Sequence, residues 1–157
     1  MNGYLSRDEM LALVKHAPLV SIDLLVTRPD GSVLLGLREN EPARDHWFAP
    51  GGRILKGERL SEAFARLTRG ELGQAFALSE ASLLGVYEHH YETNFAQAPG
   101  VSTHYVVLGH RLPVAADFAP AGDDQHRELR WWRPEQMTEA NGVHRYTREY
   151  LPALTGR

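Results

Sequence analysis

Hydrophobic and polar positions follow two different periods along this chain, and the changes of period mark its elements. Leu60, Ala63, Phe64 and Leu67 have the spacing of one helix face. Apolar runs bounded by turn-forming residues predict strands, and the turn signal at residues 29–31 predicts a hairpin. The predicted strands cover residues 18–27, 32–38, 82–91, 102–112 and 128–132. This order indicates an α/β domain of mixed α+β character, with a mixed sheet packed between helices.

Helices are predicted near both ends of the chain as well as in its middle. Residues 7–16 predict a short helix that ends before Pro18. Pro134 is well placed to begin a brief helix, and residues 143–154 predict one last helix. With no internal repeat and no linker-like segment, residues 1–157 are expected to form a single domain.

The stretch from Pro50 to Gly73 is the first candidate for a functional site. It is predicted to open with a Gly-Gly turn at residues 51–52. An amphipathic helix should follow from about Arg59 to Leu72, capped by Gly73. A turn with accessible backbone carbonyls next to a helix rich in carboxylates and arginines suits a metal-bound phosphate ester.

Charged residues follow the polar side of this helix. Glu58, Glu62 and Arg66 are spaced four apart, which predicts one charged face. Taken alone, a salt-bridged surface explains that face. Glu71 differs because it falls in the last turn, where the helix dipole disfavours negative charge. Either a nearby arginine or a divalent metal could compensate it.

A second polar cluster covers Asp123 to His126. Its carboxylate and amide oxygens suit Mg²⁺, and a histidine beside such ligands could act as a base on water. An ordinary loop rich in turn-forming residues is an equally good interpretation. His89 and His90 fall in a predicted strand, so their side chains should point to opposite faces.

Composition excludes several classes of function. The formal charge is -3 without any basic run, which argues against nucleic-acid binding. No apolar run approaches the roughly 20 residues of a membrane-spanning helix, so no membrane association is expected. The chain has no cysteine, and its N-terminus lacks a signal-like apolar block, so a cytoplasmic protein is expected. Nothing matches a nucleophile elbow, a P-loop or a dinucleotide fingerprint.

The spacing within the candidate stretch is more specific. Five residues separate Gly52 from Glu58, seven separate Glu58 from Arg66, and Glu71 and Gly73 follow. This pattern resembles the signature of the Nudix hydrolases, and it implies their fold.

The chain departs from that signature at two acidic positions, where it has Leu67 and Gly70, and at an apolar position, where it has Gln74. The missing carboxylates help ordinary Nudix diphosphatases to bind metal and activate water at phosphorus. The same departures are typical of the GDP-mannose mannosyl hydrolase branch. The chain resembles that branch in ordered blocks along most of its length, including PLVSIDLLV, WFAPGGR, FARLTRGELG, LLGVYEHHY and THYVVLG.

The resemblance implies a magnesium site and a base. One Mg²⁺ per subunit, for which Mn²⁺ could substitute, would be held by the Gly51 carbonyl, the Glu71 carboxylate and the Gln125 side-chain oxygen. His126 would be the general base, approaching from a separate loop.

The resemblance also implies a set of substrate contacts. Arg38 and Arg53 would bind the diphosphate and stabilise the leaving GDP, with weaker support from Arg66. Asp23, His89 and Tyr105 would lie near the sugar and the β-phosphate. The resemblance also implies a homodimer, in which Tyr4 and Leu5 would contact the guanine of the bound nucleotide.

The expected reaction is attack of water on the anomeric carbon of GDP-mannose, or of GDP-glucose, with inversion. Charge then develops on the leaving diphosphate, which one Mg²⁺ and several arginines can neutralise. Two alternatives remain open. One is a Nudix diphosphatase that cleaves a nucleoside diphosphate derivative at phosphorus, and the other is a non-catalytic binding protein for nucleotide sugars. Which GDP-sugar is preferred, and how guanine is selected, also stay open.

Overall fold

One mixed sheet is the frame of the molecule, in a computed structural model that describes residues 4–121 and 128–156. The strands are β1 (Leu19–Thr27), β2 (Val33–Leu37), β3 (Trp47–Phe48), β4 (Gly51–Arg53), β5 (Ser82–Tyr91), β6 (Thr103–Pro113) and β7 (Leu129–Trp132). Their order in the sheet is β3-β2-β1-β6-β5, with β4 paired to β1 and β7 paired to β2. Only β1 and β6 form a parallel pair among the described strands.

Helices cover parts of both faces of this sheet. They are α1 (Arg7–His16), α2 (Leu60–Leu72), α3 (Pro134–Glu139), α4 (Arg145–Arg148) and α5 (Leu151–Thr155), with a 3₁₀ turn at Leu78–Glu80. Phe64 and Leu67 of α2 pack on Ile22 and Leu24 of β1. On the other face, Met137, Val143 and Tyr150 pack against a different set of strand residues. The predicted mixed α/β class, with a sheet between helices, is confirmed.

The main helices begin and end where the sequence predicts. Ser6 caps α1 in a capping box with Glu9, which satisfies backbone N–H groups of the first turn. Gly73 ends α2 in the left-handed conformation, with φ of 80°. The two long strands β5 and β6 also agree with the predicted ranges.

The predicted Gly-Gly turn is wrong, because residues 51–53 form the short strand β4. The glycines serve close approach and not chain reversal. A Cβ atom at Gly51 would overlap the Ile22 carbonyl oxygen of β1, and one at Gly52 would lie 2.7 Å from Leu67 Cδ2. Gly51 and Gly52 therefore let β4 lie between β1 and α2.

The single helix predicted for residues 143–154 is also wrong. The chain forms two short helices, α4 and α5, separated by Glu149 and Tyr150. Pro152 has no N–H to donate to the carbonyl one turn earlier, so a continuous helix is disfavoured there. Within the described residues, no helix has the length and apolar character needed to cross a membrane.

Candidate active site

A polar cleft opens where β1, β4, β5 and β6 meet, and six residues predicted for the site line it. They are Asp23, Arg38, Gly51, Arg53, His89 and Tyr105. The cleft has a volume of about 90 Å³, enough for several water molecules or for one sugar or phosphate group. A whole nucleotide sugar would therefore extend beyond this cleft over the surface.

Strand pairing explains why these residues converge. Asp23 lies opposite Gly51 in the antiparallel β1–β4 pair. Leu19, on the same face of β1 as Asp23, lies opposite Tyr105 in the parallel β1–β6 pair. Tyr105 in turn pairs with His89 across β5 and β6. Residues distant in sequence thus meet on one face of the sheet.

Asp23 is a partly buried carboxyl that lines the cleft. The Tyr150 hydroxyl donates a hydrogen bond to Asp23 Oδ2 at 2.6 Å. Burial raises the pKa of Asp23 to about 6, although the Tyr150 hydrogen bond and the positive charge of Arg38 both act in the opposite direction. Asp23 therefore titrates close to neutral pH.

His89 is only 3% exposed and stacks on the Tyr146 ring, with centroids 4.4 Å apart. Burial lowers the pKa of His89 to about 4, so the imidazole is neutral at pH 7. Its Nε2 atom is buried and makes no hydrogen bond within the described part of the chain. Because His89 lines the cleft, a polar ligand could satisfy that nitrogen.

The two cleft arginines come from separate segments. Arg38 follows β2, lies over the Phe48 ring at 5.8 Å, and donates to the Asn40 carbonyl at 3.4 Å. Arg53 ends β4, and its carbonyl oxygen accepts a hydrogen bond from Arg66. Their shared cleft is a suitable place for an anion.

Arg66 does not line the cleft but supports one of its walls. It forms an ion pair with Glu58 at 2.7 Å and donates to the Arg53 carbonyl at 2.8 Å. The hydrogen bond from Arg66 lowers the pKa of Glu58. The predicted Glu58–Glu62–Arg66 face of one helix is wrong, since α2 begins at Leu60 and Glu58 precedes it. Glu62 instead accepts a hydrogen bond from the Arg59 backbone N–H.

Glu71 and the backbone of Gly51 are brought together at the other end of α2. The Gly51 N–H donates to Glu71 Oε1 at 3.4 Å. This places a carboxylate beside a short strand whose carbonyl oxygens are hard ligands of the kind that Mg²⁺ prefers. The positions of Gly51 and Glu71 are therefore compatible with their predicted role as magnesium ligands.

Of the four remaining predicted residues, Gln125 and His126 fall outside the described residues. Tyr4 and Leu5 precede α1, with exposed fractions of 66% and 40%, and neither lines the cleft. Tyr4 lies near Arg66. The pKa of Arg66 is raised mainly by its hydrogen bond to Glu58, and Tyr4 adds a smaller effect in the same direction.

Sequence reasoning missed the aromatic wall of the cleft. Phe48 and Tyr91 line it, their rings 6.5 Å apart, and burial raises the pKa of the Tyr91 hydroxyl. Tyr150 was also missed, although it holds Asp23. The aromatic character of β5 gave a signal for Tyr91. No local signal identified Tyr150, which lies in a terminal segment.

Comparison with known proteins places this geometry in a family. The sequence model of the NUDIX domain family matches residues 17–154 of this chain. The low-salt glycan biosynthesis protein Agl8 of Haloferax volcanii is 40% identical over 147 residues, which covers 94% of this chain and 88% of that protein.

Solved structures share the fold. A MutT NUDIX hydrolase from Burkholderia pseudomallei is 26% identical, with a TM-score of 0.67 over 88% of this chain and 98% of that one. The NUDIX domain of Shewanella oneidensis NrtR, solved with ADP ribose, is 18% identical, with a TM-score of 0.66 over 98% and 99% of the two chains. At that lower identity the likeness concerns the fold alone.

Proposed function

The chain belongs to the Nudix hydrolase family, and from this premise we propose that it hydrolyses GDP-sugars to GDP and free sugar. GDP-mannose is the first candidate substrate, and GDP-glucose is the second. In this proposal water attacks the anomeric carbon with inversion, and the active form is a cytoplasmic homodimer that uses Mg²⁺, or Mn²⁺ in its place.

One observation carries the choice of carbon over phosphorus. Leu67 of α2 occupies a position where Nudix diphosphatases have a carboxylate, and it is only 6% exposed in the core between α2 and β1. Its side chain packs where Gly52 leaves room, so this position contributes to packing and not to metal binding. Gly70 removes a second carboxylate. A site with fewer carboxylates is better suited to neutralising a departing diphosphate than to generating a nucleophile at phosphorus.

The leaving group would be held at the arginine side of the cleft. Arg38 and Arg53 would contact the diphosphate, and Arg66 would act indirectly through its hydrogen bond to the Arg53 carbonyl. A Mg²⁺ ion held by Gly51, Glu71 and Gln125 would supply further positive charge to the leaving GDP.

The sugar would lie toward Asp23 and His89, with Tyr105 beside them. A carboxylate at Asp23 can stabilise positive charge that develops on the sugar ring as the glycosidic bond breaks. Neutral His89 has a buried Nε2 suited to a hydrogen bond with a sugar hydroxyl. Tyr4 and Leu5 are proposed to reach guanine only within the dimer, because neither lines the cleft of its own chain.

His126 is proposed as the base that takes a proton from the attacking water. An unperturbed histidine side chain has a pKa close to neutral, which suits a general base. Since GDP is a good leaving group, no general acid is needed on the other side of the bond.

One similar protein supports a sugar-containing substrate. Agl8 of Haloferax volcanii is named for glycan biosynthesis. That name fits a polar cleft lined by two arginines, Arg38 and Arg53.

The position of bond cleavage tests the proposal. GDP-mannose is incubated with the protein and Mg²⁺ in ¹⁸O-labelled water, and the products are weighed by mass spectrometry. We expect label in mannose and unlabelled GDP. Label in GMP or mannose 1-phosphate would show a diphosphatase, and tight binding without turnover would show a binding protein. Either result would overturn the proposal.

The role of His126 has its own test. His126→Gln should lower kcat by about 100-fold or more while nucleotide affinity changes little, because only proton transfer is removed. His16→Gln, in the last turn of α1, is the matched control. An unchanged kcat in His126→Gln would remove that residue from the mechanism.

A further inference from the structure

The side of β5 and β6 that faces away from the cleft carries a second group of metal-ligating side chains. We propose that Glu88, His90 and His104 form a binding site for a divalent transition-metal ion of the Zn²⁺ type. Each residue offers one ligand atom, and these three atoms all lie within 4.8 Å of one another. We call this surface the outer face, and it also includes Val86 and Val106.

Strand geometry holds the three residues together. His90 and His104 are direct partners in the antiparallel β5–β6 pair, and their ring centroids are 4.3 Å apart. Glu88 precedes His90 by two residues on the same strand, so it shares the same face. The ligands therefore stand on a paired backbone and not on a loop.

An independent observation points to a ligand here. The Nε2 atom of His104 is buried and has no hydrogen-bond partner among the residues that the structure describes. A buried ring nitrogen without a partner is uncommon, because desolvation of a polar atom is costly. A metal bond to one ring nitrogen, with rotation of the ring, would give this imidazole a partner.

The donor set selects the class of ion. Two imidazoles and one carboxylate suit Zn²⁺ and similar ions, and they leave further positions open. Mg²⁺ prefers oxygen donors throughout, so it is a poor match for this group. Tetrahedral bonds of about 2.1 Å place ligand atoms about 3.4 Å apart, so no pair of ligand atoms has to approach by more than about 1.4 Å on binding. Glu88 and His90 are exposed and can make that movement.

This group is separate from the magnesium ligands proposed in the cleft. Glu88 and His90 flank His89, whose side chain points to the opposite face and lines the cleft. Occupation of the outer face would therefore leave Gly51 and Glu71 untouched.

Calorimetric titration with Zn²⁺ tests the proposal on the full chain in saturating Mg²⁺. We expect one bound Zn²⁺ per chain at the outer face, and binding weakened about 100-fold or more in the double variant His90→Gln/His104→Gln, since both imidazole ligands are removed. Glu88→Gln should show a smaller loss. His16→Gln is the matched histidine control, and Glu71→Gln separates this site from the cleft. Circular dichroism verifies the folding of each variant.

Imidazole NMR gives a second measurement on the parent chain. Zn²⁺ should shift the ring signals of His90 and His104 together at one equivalent, while the His16 signals stay in place. Unchanged Zn²⁺ affinity in the double variant, loss of Zn²⁺ binding in Glu71→Gln, or unshifted His90 and His104 signals would each overturn the proposal.

Discussion

The two faces of strands β5 and β6 use the same kinds of residue for different purposes. His89 is 3% exposed and neutral, and it lines a cleft beside Asp23 and Tyr105. His90, the next residue, is exposed and stacks on His104. The chemistry of a histidine is therefore set by what covers each face, and strand alternation allows neighbouring residues to differ completely.

The largest expected effect is at Asp23, on the cleft face. Asp23→Asn should lower kcat for GDP-mannose by about 100-fold, because a neutral amide no longer stabilises positive charge on the sugar. The corresponding change on the outer face, Glu88→Gln, should leave kcat within about twofold in the absence of transition metals. Equal losses in the two variants would contradict the difference between the faces.

Asp23→Asn should also stabilise the folded protein at neutral pH. The pKa of Asp23 is raised from 3.8 to about 6 by burial, so the folded state holds its proton more tightly than the unfolded state. The stability that the folded state gains from this tighter proton binding is fully present below pH 4 and is lost as pH rises through 6. Converted at 1.36 kcal/mol per unit, ionisation of Asp23 costs up to about 3 kcal/mol above pH 6.

Denaturant unfolding in EDTA measures this effect. Asp23→Asn and the parent chain should differ least near pH 4, with the variant gaining in relative stability up to pH 7. His89 has the opposite dependence, since its pKa is lowered to about 4 and its contribution is lost as pH falls from 6.5. His89 is present in both proteins, so its contribution cancels in the stability difference between Asp23→Asn and the parent chain. A pH-independent difference would show that Asp23 has an ordinary pKa.

An intermediate effect is expected at Tyr150. Tyr150→Phe removes the hydroxyl that donates to Asp23 Oδ2, and so should raise the pKa of Asp23 further. The free energy of unfolding at pH 7 should fall by about 1–3 kcal/mol, because a partly buried carboxylate loses a hydrogen-bond partner. Carbon-detected NMR of Asp23 follows the titration directly.

Tyr146→Phe is the matched control for Tyr150→Phe. Its hydroxyl bonds the backbone N–H and carbonyl of His90 and not Asp23. It should lower stability while leaving the titration of Asp23 in place. A shift of that titration in Tyr146→Phe, or none in Tyr150→Phe, would contradict the assigned hydrogen bond.

Local pattern predicted most of the fold. Sequence pattern predicted the ranges of β1, β5, β6 and α2. Strand β1 is a largely apolar run with buried residues on both faces, whereas α2 buries one apolar face. The break between α4 and α5 was missed although Pro152 was visible, since apolar residues on both sides suggested continuity. Strand β4 was missed because paired glycines are typical of turns, and its partner was not evident locally.

The site was only partly predictable for a related reason. Family resemblance selected Asp23, Arg38, Arg53 and His89, which the structure brings into one cleft. The contact between Asp23 and Tyr150 spans 127 residues, and no spacing rule reaches that far. The weaker support of the diphosphate by Arg66 stays a prediction, and its described contacts include Glu58 and the Arg53 carbonyl.

The smallest expected effect is at Val86, on the outer face. Val86 is 60% exposed, so Val86→Thr removes little buried apolar area and keeps the β-branched shape that strands favour. Stability should change by less than about 0.5 kcal/mol, and kcat should stay within about twofold. Thermal unfolding and steady-state kinetics at two protein concentrations measure both. A clear loss of stability that grows on dilution would mean that a second copy covers Val86 in solution, and the outer face would then be an interface and not an exposed surface.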